Sequence, residues 1–246
     1  MVQLDYSGVG VPIRDDLRAA QQFVWEHIRS PGTWWTGEQR VAIAAEARHA
    51  AHCDLCRRRK AELSPQAVAG VHDTHGALPA NVVDVVHRIR TDPGRLSRQW
   101  FDGVIASGLS VPQYVEVIAV VALLSGLDFF ARALGIAPFA LPQPLPGEPS
   151  RYLPRSAKPG TAWVPMIAPQ DAAGPDADLY GDIPIVPHIM QALSVVPAEA
   201  RALRQSSEAH YLPMVALGDP TLGRSLDRMQ IELVAARVSA LNECFY

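Results

Sequence analysis

The stretch "GEQRVAIAAEARHAAHCDLCRRRKAEL", Gly37 to Leu63, decides how this chain is read. Ahead of it, Trp34 and Trp35 read as a hydrophobic staple, Thr36 as an N-cap, and Gln39 as the third-position partner of a capping box. The spacing predicts one helix over the whole stretch. If that helix runs on through Cys53, then Glu46, His49, Cys53, Cys56 and Lys60 line one face at three- and four-residue intervals, with His52 close by. A Cys-x-x-Cys pair on such a face is a candidate thiol centre. The thiolate is the reactive species, and Arg57, Lys60 or a protonated histidine favours it. Glu46 or His49 is the expected acceptor of the thiol proton.

Further helical patterns lie outside this stretch: Asp16–Arg29, Asn81–Arg90, Arg95–Ser107, Val111–Leu134, His188–Ser194, Ala198–Tyr211 and Leu222–Ala240. Strand alternation is scarce, so the fold class is all-α. Twelve of the 21 prolines fall between Pro138 and Pro187. Proline removes backbone donors and disfavours helix, so this segment reads as an extended connector. The expected division is a first helical unit over 1–137 holding the Cys-x-x-Cys pair, a proline-rich linker over 138–187, and the beginning of a second unit over 188–246.

Composition narrows the function classes. A formal net charge of −3 over 246 residues excludes a strong basic field of the nucleic-acid-binding kind. The basic run Arg57–Lys60 reads as a solvated stretch paired with carboxylates. The longest apolar run, around "VIAVVALLSGL", is short and carries Glu116 at its start, so it reads as a buried core helix and no membrane partner is expected. The N-terminus shows no secretory signal pattern, and Cys53, Cys56 and Cys244 make an odd cysteine count. Together these predict a cytoplasmic protein without a disulfide scaffold.

The last helical pattern ends in "VSALNECFY", with Glu232 twelve residues before Cys244. On one straight helix these two side chains stand roughly 18 Å apart, so shared chemistry requires a break at Asn242–Glu243. Glu-x11-Cys in this setting resembles the core motif of the alkylhydroperoxidase D and carboxymuconolactone decarboxylase family, whose redox-active members resemble Glu-x11-Cys-x-x-Cys-x3-His. Glu232 falls on that glutamate and Cys244 on the first cysteine. In related two-unit members the redox position resembles selenocysteine, and a chain ending at Tyr246 is what a selenocysteine codon read as stop produces. The first unit departs from the motif, with Val41 at the glutamate position and Lys60 at the histidine position. A third helix, with Glu116 and Asp128 twelve apart, resembles a unit that has lost its cysteine.

The resemblance implies tandem helical units, the second incomplete, and thiol- or selenol-dependent peroxide reduction or disulfide exchange. Its partners are a peroxide and an external dithiol reductant, with no metal or organic cofactor, in a homo-oligomer. The candidate catalytic residues are Cys53, Cys56, Glu46, His49, Glu232 and Cys244. The rival is a non-catalytic helical scaffold stapled by zinc through Cys53, Cys56, His72 and His75. A lactone decarboxylase is a third option. His87 reads as a helix-surface residue.

Overall fold

The computed structural model describes residues 3–183, 185–242 and 244. Among these the fold is all-α, with nine helices and no strand: α1 Asp15–Arg29, α2 Gly37–Ala50, α3 Asp54–Ala61, α4 Ala80–Thr91, α5 Arg98–Ala106, α6 Val111–Ala133, α7 His188–Gln191, α8 Pro197–His210 and α9 Arg228–Leu241. The capping box at Thr36 forms as the sequence predicts, with Thr36 accepting from the Gln39 N–H and Gln39 from the Thr36 N–H.

Helix α6 is the centre of the core and packs on α1, α2, α4 and α8. Val115, Val117, Ala119, Val120, Leu123, Leu124 and Leu127 are all buried along it. Each fully buried Val or Leu contributes about 1.5–3 kcal/mol relative to exposure, which explains why a helix with Glu116 inside it still forms the core. At 23 residues, α6 is longer than the run read from the sequence, and by length and composition it suffices to cross a membrane. Its apolar window is 61% buried within the helical bundle.

Glu116 lies in a polar knot that ties four helices together. Arg40 on α2 donates through Nη1 to Glu116 Oε1 at 2.5 Å and to Glu199 Oε1 on α8 at 2.6 Å. His27 on α1 meets the other oxygen of Glu199 at 2.9 Å, and the Trp34 N–H donates to Glu116 Oε2 at 2.6 Å. Arg40, Glu116 and Glu199 have no solvent-exposed side-chain surface. Gly32 passes so close that a Cβ there collides with the Glu116 carboxylate and Arg40.

Two expectations need correction. The helix expected over Gly37–Leu63 breaks after Ala51: Cys53 adopts φ −64°, ψ 126° and becomes the N-cap of a new helix. Asp54 in the first turn of α3 suits the positive end of that helix. The second correction concerns the unit expected over 188–246. Among the described residues, 138–187 hold no α-helix, but Leu193, Val195, Val196 and Ala202 beyond them enter the same core as α1, α2, α4 and α6. Helix α9 behaves differently and buries none of its side chains, with Met229, Leu233 and Val234 exposed.

Candidate functional site

The break between α2 and α3 sets the site. Cys53, at the N-cap of α3, and Cys56, one turn into that helix, are both buried, at 1% and 3% exposure. This is the Cys-x-x-Cys placement in which a helix N-terminus offers free N–H groups to the first sulfur. Burial opposes ionisation of Cys53. Hydrogen bonds from the Cys56 N–H, His72 and the Asp73 N–H outweigh it, and its pKa falls below the ordinary thiol value.

Two histidines close over the sulfurs. His72 comes from the loop after α3, and its Nδ1 stands 3.5 Å from each sulfur. That loop passes tightly over α3 at Gly70 (φ 154°), where a Cβ meets the Leu55 side chain. His87 comes from α4 and is fully buried, with Nδ1 3.3 Å from the Cys56 sulfur. Reading it as a surface residue was wrong: the valine-rich face of α4, with Val82, Val83, Val85 and Val86 buried, turns His87 inward.

Each imidazole is held from behind by a carboxylate. His72 Nε2 meets Asp84 Oδ1 at 2.9 Å, and Asp84 also accepts from Trp100 Nε1 at 2.7 Å and Arg59 Nη1 at 3.2 Å. His87 Nε2 meets Glu46 Oε1 at 2.8 Å. A proton on Nε2 donated to the carboxylate leaves Nδ1 of each ring facing sulfur. Burial lowers the His72 pKa, but bonds to Asp84, Cys56 and Cys53 dominate and raise it to about 10. Burial pushes the His87 pKa below its usual value against the pull of Glu46. Glu46 is itself buried, yet hydrogen bonds from His87, Thr74 and the His75 N–H bring its pKa down.

Beside the buried pair lies a cavity of about 370 Å³ lined by Cys53, Cys56, Arg57, Lys60 and Thr91. Lys60 and Thr91 also line a neighbouring cavity of about 770 Å³, together with Arg90, Phe129 and Cys244. The basic run next to the site is paired as read from the sequence, with Arg57 on Asp54, Arg59 on Asp84 and Lys60 3.6 Å from Asp92.

The structure therefore gathers Cys53 and Cys56, and places Glu46 one residue behind them, acting through His87. The ring of His49 packs on His75 at 4.4 Å and edge-on to His87 at 6.4 Å. The fourth member of the cysteine–histidine group is His87 rather than His75, whose ring packs on His49. Glu232 is bound on the surface by Arg228 at 2.7 Å and by Tyr211, and Cys244 is exposed. Helix α9 ends at Leu241, just before the Asn242–Glu243 position where shared chemistry would require a break, and Glu243 lies outside the described residues.

Sequence reasoning missed His87 and Asp84, which the spacing Asp-x-x-His on one helix signals once α4 is known to face α2. No protein-family model, curated protein or solved structure matches this chain.

Proposed function

We propose that this protein is a dithiol oxidoreductase that reduces a peroxide, or exchanges disulfides, through Cys53 and Cys56. The observation carrying this reading is the pair of sulfurs at a helix N-terminus, sharing one imidazole nitrogen, on two residues that line a cavity.

In the reaction, the Cys53 thiolate attacks the distal oxygen of ROOH. The O–O bond breaks, Cys53 becomes a sulfenic acid, and the alkoxide takes a proton to leave as ROH. The Cys56 sulfur then attacks the Cys53 sulfur, its proton passing through an imidazole to the departing hydroxide, so the disulfide forms and water leaves. An external dithiol returns the pair to the reduced state. His72 and His87 carry protons at the sulfurs, and Asp84 and Glu46 hold the rings in the useful orientation.

The test is consumption of tert-butyl hydroperoxide by the chelator-treated protein with dithiothreitol. Turnover above the buffer rate that disappears in Cys53→Ser and in Cys56→Ser supports the proposal. Turnover equal in wild type and both variants contradicts it.

A further inference from the structure

We infer that the Cys53 and Cys56 sulfurs with Nδ1 of His72 and of His87 form a four-coordinate site for a zinc-class divalent cation, whose occupancy excludes the disulfide. All four atoms lie within 4.8 Å of one another. Three of the four sulfur–nitrogen separations are 3.5, 3.5 and 3.3 Å, and the fourth, Cys53 to His87, lies within the same 4.8 Å. A tetrahedron with Zn–S near 2.3 Å and Zn–N near 2.05 Å has sulfur–nitrogen edges of about 3.6 Å. The donors are therefore already spaced for one central ion.

The surroundings match a metal centre as well. Both rings present Nδ1 to the sulfurs and give Nε2 to a carboxylate, at 2.9 Å for Asp84 and 2.8 Å for Glu46. That is the carboxylate–histidine–metal arrangement, which fixes the ring and raises the basicity of the ligating nitrogen. Two thiolates neutralise a dication where both sulfurs are buried. Two sulfurs and two imidazoles select zinc over magnesium or calcium, which take oxygen. Four protein ligands close the coordination shell, as in structural rather than catalytic zinc sites. The donors span the N-terminus of α3, the following loop and α4, so the ion joins the small core patch of Cys53, Leu55 and Cys56, with Val68 of the loop against it, to a helix whose valines belong to the main core.

The ligand set rests on this geometry alone. The exclusion of the disulfide rests also on the dithiol reading: a metal-bound sulfur pair is held as two separate thiolates, and forming the S–S bond removes both ligands. The oxidant is the peroxide, ROOH, which takes two electrons from the sulfurs and two protons from solvent to give ROH and water, releasing the cation.

The experiment is metal analysis of the reduced protein, followed by Co²⁺ titration of the chelator-treated form by visible absorption. We expect one zinc per chain and the intense ligand-field bands of tetrahedral thiolate-bound Co²⁺. Cys56→Ser and His87→Gln, checked for unchanged helical circular dichroism, lose those bands. Glu46→Gln keeps them with about 10–100-fold weaker affinity, since it only positions His87. Peroxide treatment releases the bound zinc as two thiols disappear. Absence of tetrahedral Co²⁺ bands overturns the site, even where the disulfide still forms and the dithiol reading stands. Unaltered bands in folded Cys56→Ser or His87→Gln overturn the ligand set. Two thiols lost with zinc retained overturns the exclusion. Zinc bound in a protein whose thiols never pair leaves the ligand set standing, and overturns the exclusion and the dithiol reading together.

Discussion

The Nδ1 atom of His87 stands 3.3 Å from the sulfur of Cys56, although the two residues are 31 apart in sequence. Behind it, Nε2 is held by Glu46, so a carboxylate from α2, an imidazole from α4 and a thiol from α3 form one buried line. The chemistry assigned to the cysteines depends on this line as much as on the sulfurs.

The two cysteines have different places and should have different roles. Cys53 is the N-cap, and hydrogen bonds hold its pKa below the usual value; Cys56 sits between the two imidazoles. On the proposed dithiol reading, Cys53 is expected to attack and Cys56 to resolve. In Cys56→Ser, treated with one equivalent of peroxide, dimedone should label Cys53 as its sulfenic acid by mass spectrometry. Labelling of Cys56 in Cys53→Ser, with none of Cys53 in the converse variant, reverses the assignment.

The buried knot of Arg40 with Glu116 and Glu199 governs stability rather than chemistry. Replacing Arg40 with Met leaves two carboxylates buried without their cation, so unfolding by urea should show a loss of about 3–5 kcal/mol. Gly32→Ala should also destabilise, by about 1–3 kcal/mol, because its Cβ meets the Glu116 carboxylate. A Gly32→Ala midpoint equal to wild type argues against the close approach.

Acid sensitivity arises from the same knot. Burial opposes ionisation of Glu199, but Arg40 and His27 overcome it and bring its pKa from 4.5 down to about 2. A depressed carboxyl contributes stability fully above its unfolded pKa and loses it as pH falls through the folded one. Glu116 acts in the opposite sense, its pKa raised by burial and by Glu199 despite Arg40. In urea titrations, stability should fall between pH 4.5 and about 2, and Glu199→Gln should flatten that part of the profile. An identical slope in the variant assigns the acid loss elsewhere.

The sequence made the helices legible because their signals are local. Thr36 and Gln39 announce the start of α2, and the apolar density of α6 announces the core. Two features were not legible, each for a physical reason. The break after Ala51 has no glycine or proline to mark it; Ala and His are compatible with helix, and what the break provides, sulfurs under two histidines, is tertiary. The place of α8 was hidden because the proline-rich segment reads as a separator. Proline density reports that a chain is extended, not whether the next helix founds a new core or joins the old one. Of the site, Cys53, Cys56 and Glu46 were found, whereas His87 was misplaced because a lone histidine among valines carries no sign of which way its helix turns.

Helix α9 buries no side chain, so it should be dispensable for the dithiol centre. Deleting 228–246 should leave the thermal midpoint and the peroxide-driven loss of the Cys53 and Cys56 thiols unchanged. A deletion variant that no longer oxidises places α9, and with it Cys244, in the mechanism.

The most direct test of the central claim is peptide mapping after oxidation. Trypsin releases His49–Arg57, HAAHCDLCR, which contains both cysteines of the pair and not Cys244. After one equivalent of peroxide on the chelator-treated, reduced protein, this peptide should appear about 2 Da lighter and resistant to alkylation, with Cys244 still alkylated. A peptide that keeps both free thiols, or carries irreversible higher oxides without the internal bond, contradicts a dithiol centre at Cys53 and Cys56.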